Sequence, residues 1–176
     1  MNHLATSKED ILAASRDLIK ENGWAAVSIR AVASRCSVSA GTIYNYYESK
    51  ADLLSDTIES IWHEIFFHPE DEQIFHDVES CISWIYERLE YGNRQFPGFF
   101  SLHSFGFMRD EKTSGKKRMM KKWGHILNGL CEVLGNDPKV RADVFDQEFT
   151  EKKFADILFS LILVSMIRQD YDPSSV

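Results

Sequence analysis

The sequence predicts an all-α fold, and three observations lead to that prediction. Apolar residues recur at spacings of three and four along most of the chain, which is typical of helices rather than strands. Only four prolines and nine glycines interrupt the 176 residues, so long helices are favoured. Hydrophobic residues make up 44% of the chain, which suits a packed core rather than a disordered chain.

The N-terminal 50 residues are predicted to form three helices. The first begins after Ser7, with Asp10 as its partner in a capping box, and Gly23 is placed to end it in a left-handed cap. Two short helices follow, at about residues 28–36 and 39–46, and only Ser37 and Val38 separate them. Two short helices joined by so tight a turn form the helix-turn-helix pattern. We therefore predict a helix-turn-helix domain in residues 1–50.

Residues 51–176 are predicted to form a second, larger helical domain. Ser49 and Asp52 form another capping box, which opens a long helix. Further helices are expected to about residue 91, around residues 120–134 and over residues 146–168, with a broken helix in the aromatic-rich stretch 95–108. The run 157–167 is apolar at nine of eleven positions, too short to span a bilayer. One of its faces is expected to meet the core and another a twin subunit. Asp172 or Ser174 could cap a further helix.

Charge and cysteine usage narrow the class of protein. The net charge is −7, yet residues 1–54 carry six basic and six acidic residues and are neutral. Of the two parts, residues 1–54 are therefore the better candidate for binding DNA, through a few placed contacts rather than a broad basic field. Three scattered cysteines without a CxxC pair indicate reduced thiols, and the N-terminus has no apolar leader. A cytoplasmic protein without a membrane partner is expected.

The stretch GWAAVSIRAVASRCSVSAGTIYNYYESKADLL, residues 23–54, carries the most specific pattern. Its features are the pair Gly23-Trp24, Val38-Ser39 before Gly41, Tyr44, the pair Tyr46-Tyr47, and Lys50 before Leu53-Leu54. This combination resembles the N-terminal signature of the tetracycline-repressor (TetR) family. The resemblance implies a helix-turn-helix that binds operator DNA and a C-terminal domain that dimerises and usually binds a small inducer. One departure is Ser37, where the family usually has glycine; a left-handed serine costs about 1 kcal/mol.

The second short helix can enter a major groove by its N-terminal end. Its small first residues allow a close approach to DNA, where free N–H groups favour a phosphate. Arg30, Thr42 and Asn45 are predicted to read bases and the tyrosines to donate to phosphates; of Tyr44 and Tyr47, Tyr47 is the one expected in the core. The predicted DNA contacts are Ser28, Arg30, Ser39, Ala40, Gly41, Thr42, Tyr44, Asn45, Tyr46 and Lys50.

The larger domain is rich in aromatic residues, which suits a mostly apolar cavity with a few polar groups. For any single aromatic residue, an ordinary core position is the favoured interpretation. As a set, the predicted ligand contacts are Trp62, Trp84, Tyr86, Phe99, Phe100, His103, Phe107 and Trp123.

Together these predictions describe a repressor that binds a palindromic operator as a homodimer and is released by a small apolar or aromatic inducer. The alternative is a DNA-binding regulator without a small ligand, controlled by a protein partner or by its abundance. No cofactor and no enzymatic activity are expected, because no nucleophile–base set or phosphate loop is visible. The acidic and histidine residues of 63–77 match no defined metal site, and the basic run 112–122 is best explained as a solvated helix face.

Overall fold

The computed structural model describes residues 6–66, 77–100 and 114–175, with residues 114–122 and 175 described by their backbone alone. Within these ranges the chain is all-α, as predicted, and none of the helices is long and apolar enough to cross a membrane. The helices are α1 (Lys8–Asn22), α2 (Ile29–Arg35), α3 (Ala40–Tyr44), α4 (Lys50–Phe66), α5 (Val78–Gln95), α6 (Ser114–Asn136) and α7 (Glu151–Arg168).

The chain divides into two compact units. The first comprises residues 1–68 and 92–99, and the second comprises residues 69–91 and 100–176. The long helix α4 therefore falls in the first unit by compactness, together with the last residues of α5. The functional domain boundary after residue 50 stays a prediction.

Helix α1 begins as its sequence predicts. Ser7 accepts a hydrogen bond from the Asp10 backbone N–H, and the Asp10 carboxylate accepts one from the Ser7 backbone N–H at 2.8 Å, which completes the capping box. These bonds hold the pKa of the Asp10 carboxyl below its usual value, the Ser7 side chain contributing most. Ile11 and Ile19 are fully buried on the inner face of the helix.

Ion pairs join α1 to α4 in the first unit. The Arg16 guanidinium lies 3.1 Å from the Glu64 carboxylate and donates to the Ser60 hydroxyl at 2.6 Å. The Lys20 ammonium reaches the same carboxylate at 2.7 Å and also lies 5.0 Å from the centre of the Phe96 ring. Because the Glu64 carboxylate of α4 pairs with both Arg16 and Lys20, which lie one turn apart on α1, it fixes the register of α4 along α1.

Aromatic rings complete the core of the first unit. Phe99 lies 5.5 Å from Trp62 of α4 and 6.3 Å from Trp24, which stands in the short 3-10 turn after α1. Phe96 and Phe99 are both buried. The end of α5 and the turn after it therefore supply core residues to this unit.

In the second unit, α7 buries one face against α6 and α5. The Trp123 and Phe159 rings meet at 5.6 Å, and the Tyr86 hydroxyl is hydrogen-bonded to the Ser165 hydroxyl at 2.8 Å. The opposite face of α7 is apolar but exposed: Ile157, Leu161, Val164 and Ile167 are between 39% and 52% exposed. Because the exposed face of α7 is apolar rather than charged, α7 is not an ordinary surface helix.

The predicted start of the last helix is wrong, whereas Gly23 ends α1 as predicted but in another conformation. Helix α7 begins at Glu151 rather than near Asp146, because the Asp146 carboxylate accepts the N–H groups of Glu148 and Phe149 and holds a turn, after which Thr150 caps the helix. Gly23 ends α1 with φ 76° and ψ 176°. That is not the left-handed helical cap we predicted but an extended conformation that is essentially restricted to glycine. Asp172 caps a 3-10 turn over Pro173–Ser175.

Candidate nucleic-acid interface

The turn between α2 and α3 is closed by backbone hydrogen bonds. The Val38 N–H donates to the Ala33 carbonyl at 2.9 Å, and the Ser37 N–H donates to the Ser34 carbonyl at 3.1 Å. Ser37 has φ 57°, so the left-handed conformation predicted for this departure from the family pattern is confirmed. Its cost is about 1 kcal/mol, and the turn keeps the helix-turn-helix geometry.

Helix α3 is anchored by one side chain and capped by another. Ile43 is fully buried and holds the helix on the core. The Ser39 hydroxyl accepts the Thr42 N–H at 3.2 Å and lies 3.0 Å from the Thr42 hydroxyl. Such a cap contributes about 1 kcal/mol. The first turn of α3 is therefore already formed in the free protein, with its small residues on the outside.

The outer face of α3 is open to solvent. Tyr44 is 56% exposed, and Ser39, Gly41 and Asn45 are exposed beside it. A methyl group added at Gly41 would meet the Ser39 hydroxyl at 3.6 Å, an ordinary contact. The fold itself therefore has room for a side chain at Gly41.

Two further predicted contacts flank α3. Arg30 is exposed in the first turn of α2, where the Ser28 hydroxyl caps the helix by accepting the Ala31 N–H at 3.1 Å. Lys50 is exposed at the start of α4, where the Ser49 hydroxyl accepts the Asp52 N–H at 3.2 Å. Both cations thus stand in the first turn of a capped helix.

Most cations of residues 6–66 are already neutralised. Lys8 pairs with Asp56 at 2.6 Å, Arg16 and Lys20 pair with Glu64, and Arg35 forms a two-pronged pair with Glu21. The Arg35 bond keeps the pKa of the Glu21 carboxyl below its usual value. Among the described residues, Arg30 and Lys50 form no ion pair. These two free cations are both predicted DNA contacts.

The two tyrosines after α3 differ from Tyr44. Tyr47 is buried, as predicted, and the Lys8 ammonium lies 5.3 Å from its ring centre. The Tyr46 hydroxyl donates to the backbone carbonyl of Thr6 at 2.6 Å. Sequence reasoning missed this bond because its two ends are 40 residues apart and one of them is a backbone atom.

The predicted ligand contacts are distributed over both units. Trp62 and Phe99 meet in the first unit, whereas Tyr86 bonds Ser165 in the second. Also in the second unit, Phe100 lies 6.5 Å from Tyr171, Trp123 packs on Phe159, and Trp84 is half-buried on α5. His103 and Phe107 lie outside the described residues. A shared ligand site for these eight residues stays a prediction.

The region weighed for a metal site is described only in part. Glu64 is engaged by Arg16 and Lys20, and Asp77 is bound to the Ser80 N–H at 2.7 Å and to Lys139 at 3.2 Å. Residues 68–76 lie outside the description, as do the side chains of 112–122. Within the described ranges, no three His, Cys, Asp or Glu side chains are grouped as metal ligands would be.

Comparison with known proteins agrees with this geometry. Residues 11–57 match the model of the tetR family of bacterial regulatory proteins. The chain is 38% identical to the HTH-type transcriptional regulator UidR of Escherichia coli K12 over 48 residues. These 48 residues are 27% of this chain and 24% of UidR. The match thus spans about a quarter of the curated relative.

Solved structures resemble nearly the whole chain. The regulator FadR of Bacillus subtilis, solved with stearoyl-CoA, has a TM-score of 0.65 at 17% identity and covers 96% of this chain and 92% of its own. A transcriptional regulator of Rhodococcus sp. Rha1 has a TM-score of 0.67 at 18% identity, over 96% and 86% of the two chains. A TetR regulator of Haloarcula marismortui has a TM-score of 0.61 at 20% identity, over 94% and 89%. At such identities these likenesses show the fold. Residues 11–57 therefore form an N-terminal helix-turn-helix domain of the tetR family of bacterial regulatory proteins.

Proposed function

We propose that this protein is a transcriptional regulator, in the repressor mode common in its family, that binds a palindromic operator through α3 and the first turns of α2 and α4. The observation that carries the proposal concerns the lysines and arginines of residues 6–66: Arg30 and Lys50, which precede and follow the exposed α3 in the chain, form no ion pair with a described residue, whereas the other four are paired. In this account Arg30 reads a base edge, since arginine suits the guanine O6/N7 pair. Tyr44 and Lys50 hold phosphates.

Selection from a random-sequence DNA library tests this proposal. The wild-type protein is expected to enrich one palindrome, and an Arg30→Ala, Tyr44→Ala variant is expected to lose the enrichment. Arg35→Ala is the matched control, because Arg35 is engaged with Glu21 and should leave the selected sequence unchanged. Enrichment of the same sequence by the double variant would show that Arg30 and Tyr44 are not the residues that recognise the DNA.

We further propose that the protein binds this operator as a homodimer through the exposed apolar stripe of α7, made of Ile157, Leu161, Val164 and Ile167. Their spacing of three and four residues sets them along one side of the helix, opposite the buried Leu158, Ile162 and Met166. An exposed apolar stripe on a helix is favoured to associate, and a second copy offers the same surface in a two-fold interface. Two reading helices would then stand about 34 Å apart.

Sedimentation velocity tests the dimer. The wild type is expected to sediment as a dimer, and a Leu161→Lys, Val164→Lys variant is expected to be monomeric because two charges would be buried without partners. Lys152→Glu, on α7 but outside the stripe, is the control. A dimeric double variant would show that another surface joins the subunits.

An inducer of apolar or aromatic character would complete the regulation. Its support is the aromatic content of the second unit and, by analogy of fold alone, a neighbour solved with stearoyl-CoA. A ligand can release DNA only through different affinities for two conformers of the protein. Long-chain acyl thioesters are therefore the first compounds to test for loss of operator binding, with apolar aromatic compounds next. If no compound in either class changed operator affinity, the proposed inducer would be wrong, and control by a protein partner or by the abundance of the regulator would replace it.

A further inference from the structure

A short segment before and within the first turn of α1 lies against both helices of the helix-turn-helix. We call residues 6–10 the strap. At one end, the Thr6 carbonyl accepts the Tyr46 hydroxyl at 2.6 Å, just beyond α3. At the other, the Asp10 carbonyl accepts a long hydrogen bond of 3.8 Å from the Cys36 thiol, at the end of α2. Thr6 itself is buried.

The middle of the strap is held as well. The Lys8 ammonium lies 5.3 Å from the centre of the Tyr47 ring and 2.6 Å from the carboxylate of Asp56 in α4. The strap therefore contacts the ends of α2 and α3 and the early part of α4. These contacts join one short segment to the chain just after α3, to the end of α2 and to α4.

We propose that Tyr46 is a positioning residue that sets the orientation of α3 through its bond to the strap, rather than a residue that contacts DNA. A phenol has one proton to donate, and here it is given to a carbonyl in a partly buried place. Donation to a phosphate would leave that carbonyl without its partner, at a cost in free energy.

Tyr44 shows the opposite arrangement. It stands two residues earlier, is 56% exposed, and its hydroxyl forms no hydrogen bond with a described residue. Tyr44 is therefore the tyrosine that can meet DNA without losing a bond inside the protein. The pair allows the same change, loss of one hydroxyl, to be made at a positioning residue and at a contact residue.

The first experiment needs no DNA, so it is independent of the proposed function. Amide hydrogen exchange of residues 42–47 is measured in the full-length wild type, Tyr46→Phe and Tyr44→Phe. Tyr46→Phe is expected to speed exchange about two- to tenfold, the range that corresponds to one lost hydrogen bond, and Tyr44→Phe to leave it unchanged. Unchanged exchange in Tyr46→Phe would overturn the positioning role.

The second experiment rests on the proposed function. Affinities for the selected operator and for a random duplex are measured at one salt concentration. Tyr46→Phe is expected to weaken operator binding about two- to tenfold with no effect on the random duplex, because a misdirected helix loses base contacts while the phosphate contacts adapt. A lost phosphate contact would instead weaken both affinities alike, and that result would reassign Tyr46 to the DNA surface. If no operator is found, the exchange result still decides the proposal.

Discussion

At the scale of single residues, we propose that a DNA contact differs from a structural side chain in having a polar group that is not engaged within the protein. The six cations of residues 6–54 look alike in the sequence, yet four are held by carboxylates and Arg30 and Lys50 are not. The same contrast separates Tyr44 from Tyr46 and Tyr47. The sequence pattern identified the helix-turn-helix segment, but it did not predict which of these polar groups are engaged, because the pairing partners lie far along the chain.

The free cations should differ from the paired ones in the salt dependence of binding. Lys50→Ala is expected to lower the slope of log K against log salt by about 0.9 per subunit, since each lost phosphate contact releases fewer counterions. Arg30→Ala should cost about 1–3 kcal/mol of operator affinity and relax preference at one base pair. Anisotropy titrations at several salt concentrations measure both. Arg35→Ala serves as the paired control, and an equal loss of slope there would contradict the assignment.

Ser37 offers a stability test of the turn. Its φ of 57° is strained for serine and free for glycine. Ser37→Gly is therefore expected to raise the free energy of unfolding by up to about 1 kcal/mol, as measured by urea denaturation. Ser34→Gly, in the last turn of α2, is the control and should not raise it, because the φ of Ser34 is not positive and glycine is disfavoured within a helix. A destabilised Ser37→Gly would mean that the strain is not relieved in the native turn.

At the scale of elements, the helix starts were predictable where their signals are local. The capping box of Ser7 with Asp10 lies within one turn and is complete. At α4 the Ser49 hydroxyl caps the helix as predicted, but the Asp52 carboxylate accepts that hydroxyl rather than the Ser49 backbone N–H. The start of α7 was not predictable from the same rules, because Asp146 could cap a helix or hold a turn and only the surrounding chain decides which. The tie between α1 and α4 through Glu64 spans 44 residues and left no local signal.

The start of α5 is fixed by hydrogen bonds to residues outside the helix. Asp77 accepts the Ser80 N–H at 2.7 Å, and the buried Asp137 carboxylate accepts the Val78 N–H at 2.9 Å. The first of these bonds, with help from the Ser80 side chain and Lys139, lowers the pKa of Asp77 to about 2. The loop after α6 and the first turn of α5 are thereby joined.

The pH dependence of stability follows from this depressed pKa. A carboxyl whose pKa is lower in the folded state stabilises the fold above its unfolded pKa, and loses that contribution as the pH falls through the folded value. The stability difference between wild type and Asp77→Asn is therefore expected to be full above about pH 4 and to shrink towards pH 2. Thermal unfolding from pH 5 to pH 2 measures it. Glu79→Gln, an exposed carboxylate 3.8 Å from the same Lys139, is the control. A difference independent of pH would contradict the role of the Asp77 charge.

At the scale of the whole molecule, the charge is unevenly distributed. The net −7 lies outside residues 1–54, so the protein should bind random DNA weakly and depend on a few directed contacts for its operator. The all-α class and the helix-turn-helix followed from apolar spacing and from one segment of family signature. The partners of the aromatic residues in the larger domain did not follow, because packing between distant helices has no fixed spacing in the sequence.

The central claim is that the α3 face reads a specific DNA sequence, and the ratio of two affinities tests it most directly. The affinity of the full-length protein for its selected palindrome is divided by that for a scrambled duplex of equal length at one salt concentration. We predict a ratio of at least about 10³ for the wild type, reduced about 5- to 150-fold in Arg30→Ala, Tyr44→Ala, because Arg30 contacts a base whereas the Tyr44 phosphate contact counts equally in both affinities. A wild-type ratio near one, from a folded dimer, would contradict the account.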